Sequence, residues 1–412
     1  MTLMDDSMRC RGMRDLLPAD MERFRQVETA FRTACLGWGY REVRTPTIEH
    51  LHLFTAAGTL SPQMLDRVYS FLDWDGWSGE RVVLRPDSTI PVARLYVEKL
   101  SELKIVKLFY VQSVLRFAEG DDSREDWQCG VELIGDSYPL GDVELILLSC
   151  EVLERLGLTP EIKISDPGIL GAVFSHAGLE PAERLTLYDS VLDGDLSPLA
   201  KLRERLPEVA AGASDLLAME GDGSPFLSNL RSALLPVIPE VAPVIDQLVT
   251  ITDVLSDMGL RPKVAPVLVR DFEYYTGPVF HLFVEGSKVA GGGRYDALIS
   301  QVGHESVPAS GFAVEMEALW PLLPKQEPPI DGAARIRSDQ RNGGDLTAAF
   351  SLARALREAG VTVTLTPETA GESGTEITAS SDGYSLRTGK AAPRRLAQVN
   401  QVVRAVVDAA QD

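Results

Sequence analysis

Two long β-rich runs, Ile105–Phe117 and Gln128–Gly135, are separated by little more than the acidic loop Ala118–Asp126. A connection that short joins neighbouring strands antiparallel. The runs before and after this pair extend the pattern. Val82–Arg85 reads as a short strand with a helix beginning near Ile90-Pro91, and Gly141–Leu156 as a helix. Strands return at Val264–Arg270, Gly277–Val284 and Lys288–Ala290, then a Gly-rich turn at Gly291–Gly293, a short helix and the strand Ala309–Val314. Long antiparallel strands with helices packed on a face predict an α+β fold.

Upstream, Leu17-Pro18 opens a helix, with proline tolerated in its first turn. Phe24, Val27, Phe31, Ala34 and Cys35 fall on one face of that helix, Gly37 and Gly39 stop it, and Arg41–Pro46 reads as a strand. Residues 180–262 alternate polar turns with helical stretches such as Val241–Leu255 and read as a helical insertion in a core domain spanning 1–323. A Pro-rich linker, 324–333, leads to a small α/β domain over 334–412. There Asp345–Ala359 is an amphipathic helix, Val361–Leu365 a strand and Leu396–Ala410 a closing helix.

Composition narrows the function. The 412 residues carry a formal charge of −20, and residues 331–412 hold ten basic and ten acidic side chains, so all of that charge lies in 1–330. An acidic core and a neutral tail disfavour polyanion binding, because phosphate contacts need clustered Lys and Arg. No apolar run approaches the roughly 20 residues that span a bilayer, and no signal-peptide pattern opens the chain. Cys10, Cys35, Cys129 and Cys150 are scattered, which predicts reduced thiols and a cytoplasmic location. Among five histidines none are paired at i, i+4, so no metal site is expected. His304, in a Gly/Ser-flanked loop, reads as a surface residue. The P-loop, H-E-x-x-H and G-x-S-x-G templates are all absent.

Four segments in fixed order carry a resemblance. Gly12-Met-Arg-Asp-Leu-Leu-Pro18 with Gly39-Tyr-Arg-Glu-Val-Arg-Thr-Pro46, then Leu84-Arg-Pro-Asp-Ser-Thr89, make up the first two. Val114-Leu-Arg-Phe117 with Gln128-Cys-Gly-Val-Glu-Leu-Ile-Gly135, and Leu268–Gly277 with Gly292-Gly-Arg-Tyr-Asp296, complete them. Together they resemble the histidyl-tRNA synthetase family of class II aminoacyl-tRNA synthetases over roughly residues 9–320. The resemblance implies a homodimer through the first motif and a histidine pocket. Asp87, Thr89 and Gln128 suit the ammonium group, Arg116 and Arg270 the carboxylate. Glu132 suits the imidazole N–H, against a wall of Tyr274 and Tyr275.

The resemblance fails where ATP would be held. Ala118 and Glu119 stand in place of the glutamate and arginine of motif 2, and three acids, Glu119, Asp121 and Asp122, precede the first cation, Arg124. In Gly311-Phe-Ala-Val-Glu-Met-Glu-Ala318, Glu315 replaces the glycine of motif 3 and Ala318 its arginine. Fixed cations aimed at the developing phosphate charge carry that chemistry, so the pattern implies binding without adenylation and no cofactor. It resembles the synthetase-like regulatory subunits that join the short catalytic subunit of ATP phosphoribosyltransferase. Arg270, an adenylation residue in the synthetases, keeps a second reading open: a divergent histidyl-tRNA synthetase or histidine-activating ligase. The tail resembles a reduced anticodon-binding domain, though its neutral charge argues against tRNA as a partner.

Overall fold

The computed structural model describes residues 8–56, 67–74, 79–117, 123–137, 139–180, 183, 187, 190, 216–268, 275–303, 305–324, 334–338, 343–365 and 374–409. The chain divides into two compact units, Met1–Pro324 and Lys325–Asp412. Arg270, Tyr274, His304, the segment 118–122, most of 181–215 and the linker from 325 to 333 lie outside the described residues.

In unit 1 the strands run β1 (Arg41–Glu42), β2 (Ile48–His50), β3 (Ser70–Trp74), β4 (Gly79–Leu84), β5 (Val106–Leu115) and β6 (Glu125–Ile134). They continue as β7 (Glu161–Ser165), β8 (Gly221–Asp222), β9 (Lys263–Val264), β10 (Val279–Val284), β11 (Ser287–Arg294) and β12 (Ala309–Glu315). Among the described residues, nine of them form the central sheet in the order β1-β5-β6-β12-β11-β10-β7-β9-β8, and β2-β4-β3 form a smaller one. The β5/β6, β6/β12, β12/β11, β11/β10 and β10/β7 pairs are antiparallel, while β1/β5 and β7/β9 are parallel. The fold is α+β, of the class II aminoacyl-tRNA synthetase type.

Alternation along these strands separates two faces. Phe109, Val111, Cys129, Val131, Leu133, Phe312 and Val314 point into the main core, which they share with the helices Pro18–Gly37 and Leu140–Arg155. Phe31 from the first helix stands edge-on to Phe109 at 5.9 Å and to Phe312 at 6.4 Å, a favoured aromatic geometry. Tyr110, Gln112, Gln128, Gly130, Glu132, Gly311, Ala313 and Glu315 alternate onto the other face.

Three strands differ from the sequence expectation. The strand expected over Arg41–Pro46 stops at Glu42, because the Thr45 and Pro46 carbonyls turn to accept from Nη1 of the buried Arg85, at 3.0 and 2.9 Å. Of the strand expected over Val264–Arg270, the described residues, which end at Leu268, hold only the short strand Lys263–Val264, and Arg270 lies outside them. Gly291–Gly293, expected as a turn, lies inside β11. Glycine is required there by crowding between strands: a Cβ on Gly292 would overlap the Gly311 carbonyl, and one on Gly293 would sit 2.7 Å from the Pro278 carbonyl.

Unit 2 holds five strands among its described residues: β13 (Ala334–Arg337), β14 (Val363–Leu365), β15 (Thr375–Ser380), β16 (Gly383–Thr388) and β17 (Arg394–Leu396), in the order β14-β13-β15-β16-β17. The helices Gly343–Glu358 and Val399–Ala409 bury Leu352, Leu356, Val402 and Val406 against Ile336 and Ile377. The last three strands carry few long apolar runs and were not evident from the sequence. Among the described residues of the whole chain, no helix is long and apolar enough to cross a membrane.

Candidate functional site

The site forms on the second face of the central sheet, where β5, β6, β12 and β11 lie side by side. Register sets it up: Gly130 lies opposite Tyr110 in β5 and Ala313 in β12, Glu132 opposite Leu108 and Gly311, and Gln128 opposite Gln112 and Glu315. Glycines clear the floor. A Cβ on Gly130 would overlap the Tyr110 ring, and one on Gly311 would overlap Oε2 of Glu132.

Glu132 is 2% exposed. Tyr110 donates its hydroxyl to Oε1 at 3.1 Å, Tyr295 donates to Oε2, and the Thr89 side chain also bonds the carboxyl. Burial nevertheless dominates, pushing Glu132 up to about 8, with the nearby Asp87 acting in the same direction and the hydroxyls against it. Asp87 is also buried and raised, again chiefly by desolvation. Its Oδ1 accepts the Ile90 N–H at 2.9 Å, so the carboxyl crowns the start of the helix Thr89–Lys99.

Arg116 follows β5 on the site face, and its Nε donates to the Pro86 carbonyl at 2.8 Å. Its charge favours the ionised form of Asp87 and disfavours that of Lys288. Lys288, from β11, lies 3.5 Å from Oε1 of Glu315. Among the described residues no group of His, Cys, Asp and Glu is placed to hold a metal ion.

Of the residues expected to bind a ligand, Asp87, Thr89, Gln128 and Tyr275 line one cavity together with Tyr110, Tyr295 and Glu315. Glu132 is not in the lining, but the three hydroxyl residues bonded to it are. Arg116 stands beside the cavity, and Arg270 and Tyr274 lie outside the described residues. The cavity measures about 30 Å³, whereas roughly 150 Å³ admits a benzene-sized guest. A ligand the size of histidine therefore enters only if the lining moves.

Sequence reasoning missed the roles of Tyr110, Tyr295 and Lys288. Tyr110 was within reach, since it shares the two-residue period of Gln128, Gly130 and Glu132 once the register is known. Tyr295 lay inside a quoted signature without a role. Lys288 gave no signal, because its meeting with Glu315 depends on how β11 pairs with β12.

The signature arginine, Arg294, is structural. Its Nη2 pairs with Oδ2 of Asp142 at 2.9 Å and its Nη1 with Asp296 at 3.1 Å, tying β11 to the helix Leu140–Arg155. Ala318 packs against the main core. The residue beside it, Glu317, accepts the Trp127 N–H at 2.9 Å and pairs with Arg14.

Comparisons with known proteins agree with this architecture. The histidyl-tRNA synthetase family profile matches residues 12–319. The ATP phosphoribosyltransferase regulatory subunit of Dehalococcoides mccartyi (strain CBDB1) is 43% identical over 87% of each chain. The histidine–tRNA ligase of Methanosarcina acetivorans is 33% identical over 78% of this chain and 76% of its own. A crystal structure described as an ATP phosphoribosyltransferase regulatory subunit/histidyl-tRNA synthetase from Bacillus halodurans superposes with a TM-score of 0.74 at 26% identity, over 89% of this chain and 93% of the other. The chain thus belongs to the histidyl-tRNA synthetase family, and within it is more similar to the named regulatory subunit than to the named ligase.

Proposed function

We propose that this protein is a non-catalytic regulatory subunit of ATP phosphoribosyltransferase, binding free histidine and passing its presence to a short catalytic subunit. The observation that carries the reading is Glu315. At the motif 3 position where a synthetase needs a bare backbone, a carboxylate lines the cavity and engages Lys288. An anion there opposes a triphosphate, and Ala318 supplies no guanidinium to hold one. The segment with Ala118, Glu119, Asp121 and Asp122, outside the described residues, adds acids by sequence.

Histidine would meet Asp87, Thr89 and Gln128 with its ammonium group, and Arg116 and Arg270 with its carboxylate. Its imidazole would lie against Tyr274 and Tyr275, with Glu132 acting through the hydroxyls of Thr89, Tyr110 and Tyr295. A cavity too small for histidine at rest suits a sensor, since a ligand shifts an equilibrium only if it binds two states differently. Pro46 and its motif would form a homodimer within the larger complex, without tRNA and in the cytoplasm.

Reconstitution tests the proposal. Mixed with a short catalytic subunit, the protein should raise phosphoribosyl transfer from pyrophosphate donor to ATP and make it respond to histidine, while alone it should not form histidyl-adenylate. Titration calorimetry with histidine should show binding weakened about two- to tenfold by Glu132→Gln, as expected when one buried hydrogen bond behind the hydroxyls of Thr89, Tyr110 and Tyr295 is disturbed. Histidine-dependent ATP–pyrophosphate exchange by the purified chain would falsify the regulatory reading in favour of the ligase.

A further inference from the structure

The cavity admits a ligand only if part of its surroundings moves, and most of them are held. Tyr110 and Tyr295 are bonded to Glu132, Asp87 is bonded to the Ile90 N–H, and Gly311 and Ala313 carry nothing long enough to swing. Lys288 differs. Gly291 lines the cavity between Ala313 in β12 and His281 in β10. A Cβ at Gly291 would lie 3.2 Å from Cε of Lys288 and 2.9 Å from Cδ2 of His281, so the lysine stem and the imidazole edge meet above one bare position. The stem is a long, flexible aliphatic chain. Its ammonium pairs with Glu315, a side chain 44% exposed, so separating the two returns both charges toward water. His281 lies behind the stem. It is 6% exposed and makes no hydrogen bond among the described residues. Its Nε2 is on the Gly291 side, 3.4 Å from the same Cβ position. Beside it are the Phe283 ring at 6.1 Å and, opposite in β7, Lys163, which pairs with Glu220 at 2.6 Å. Burial, with Lys163 adding to it, pushes His281 down to about 4. The imidazole is therefore neutral at pH 7 and holds one donor and one acceptor, neither of them used.

We infer that the Lys288 side chain is the movable wall of this cavity, and that lifting it from Gly291 uncovers His281 as a further binding residue, whose imidazole donates an N–H to the carboxylate of an amino-acid ligand. The charges of the face orient such a ligand. The buried acids Asp87 and Glu132 gather around Tyr110 at one end, which suits an ammonium group or an imidazole N–H. Lys163 and Lys288 flank His281 from β7 and β11 at the other, which suits a carboxylate. That the amino acid is histidine rests on the reading proposed above, but the movable wall and the imidazole beneath it do not.

Diethyl pyrocarbonate, which acylates neutral imidazole, tests the wall without any ligand. Near neutral pH, with the sites mapped by mass spectrometry, Lys288→Ala should be modified at His281 at least tenfold faster than wild type, because a wall open about a tenth of the time or less slows the reagent in that proportion. The exposed His50, His52 and His176 should keep their rates, which also reports that the variant is folded. Lys288→Ser is the second route if it is not. Calorimetric titration of wild type and His281→Phe with histidine and histamine then tests the binding role. His281→Phe should bind histidine about tenfold more weakly, the worth of a hydrogen bond to a charged group. Histamine, which lacks the carboxylate, should bind both alike. Equal His281 rates in wild type and Lys288→Ala overturn the wall, and equal histidine affinity in wild type and His281→Phe overturns the binding role. Faster modification of Lys288→Ala with no histidine binding by any variant upholds the wall and overturns the carboxylate contact together with histidine as the ligand.

Discussion

The two faces of the central sheet are built from the same strands, residue by residue, yet obey different rules. On the helix-covered face, Phe109, Val111, Val131 and Phe312 are held by packing alone. On the other, Tyr110 and Tyr295 also pack in a second, smaller apolar cluster with Leu108, Ile90 and Leu298, but their hydroxyls add hydrogen bonds to the buried Glu132. The first face is therefore sensitive to lost volume, and the second to changed protonation and added atoms.

The largest effect expected is on the packed face. Phe109→Ala removes a ring buried against Phe31 and should lower unfolding free energy by about 3–5 kcal/mol, read from urea unfolding monitored by circular dichroism. Glu132→Gln measured the same way at pH 7 should cost far less. If the two costs match, the division between the faces is wrong.

The second effect concerns pH. Because Glu132 is raised to about 8 in the folded chain, its proton favours the folded state. That contribution is full below about pH 4.5, the ordinary range of the group, and fades as pH rises through about 8. Glu132→Gln removes the term, so the gap between wild type and variant should shift in the variant's favour by up to a few kcal/mol between pH 5 and pH 8.5. A constant gap across that range would mean that Glu132 is ionised throughout.

The smallest effect expected is at Arg124. It lies over the Phe117 ring at 4.4 Å and donates to the Tyr69 hydroxyl at 3.3 Å, so it is less solvated than a loop-edge charge would suggest. Arg124→Ala should still cost only about 0.5–1 kcal/mol in stability, the worth of an exposed cation–π contact, and should leave histidine affinity unchanged. A larger loss of affinity would extend the site beyond the face described.

The fold was legible because its longest signals are local. The helix Pro18–Gly37 buries the same five residues its periodicity picked out, and β5 and β6 follow from two uninterrupted β-rich runs. The site was legible only in part. Asp87, Thr89, Gln128 and Tyr275 come together at one cavity, but the hydroxyl shell of Glu132 and the Lys288–Glu315 pair arise from strand register, which no single segment encodes. The short strand Arg394–Leu396 escaped for a related reason: it persists by pairing with its neighbour and not by its own propensity.

The bare positions of the site face have an evolutionary consequence. Gly130 and Gly311 each lie against a neighbour that a single added carbon would strike, so even the smallest substitution there collides with a tyrosine ring or a buried acid. Drift toward a new ligand cannot proceed by decorating this floor. It has to trim the walls, at Tyr110, Tyr275 or Tyr295, or redraw the rim at Glu315, and a lineage that changes the rim first keeps its binding floor while giving up whatever chemistry once took place above it.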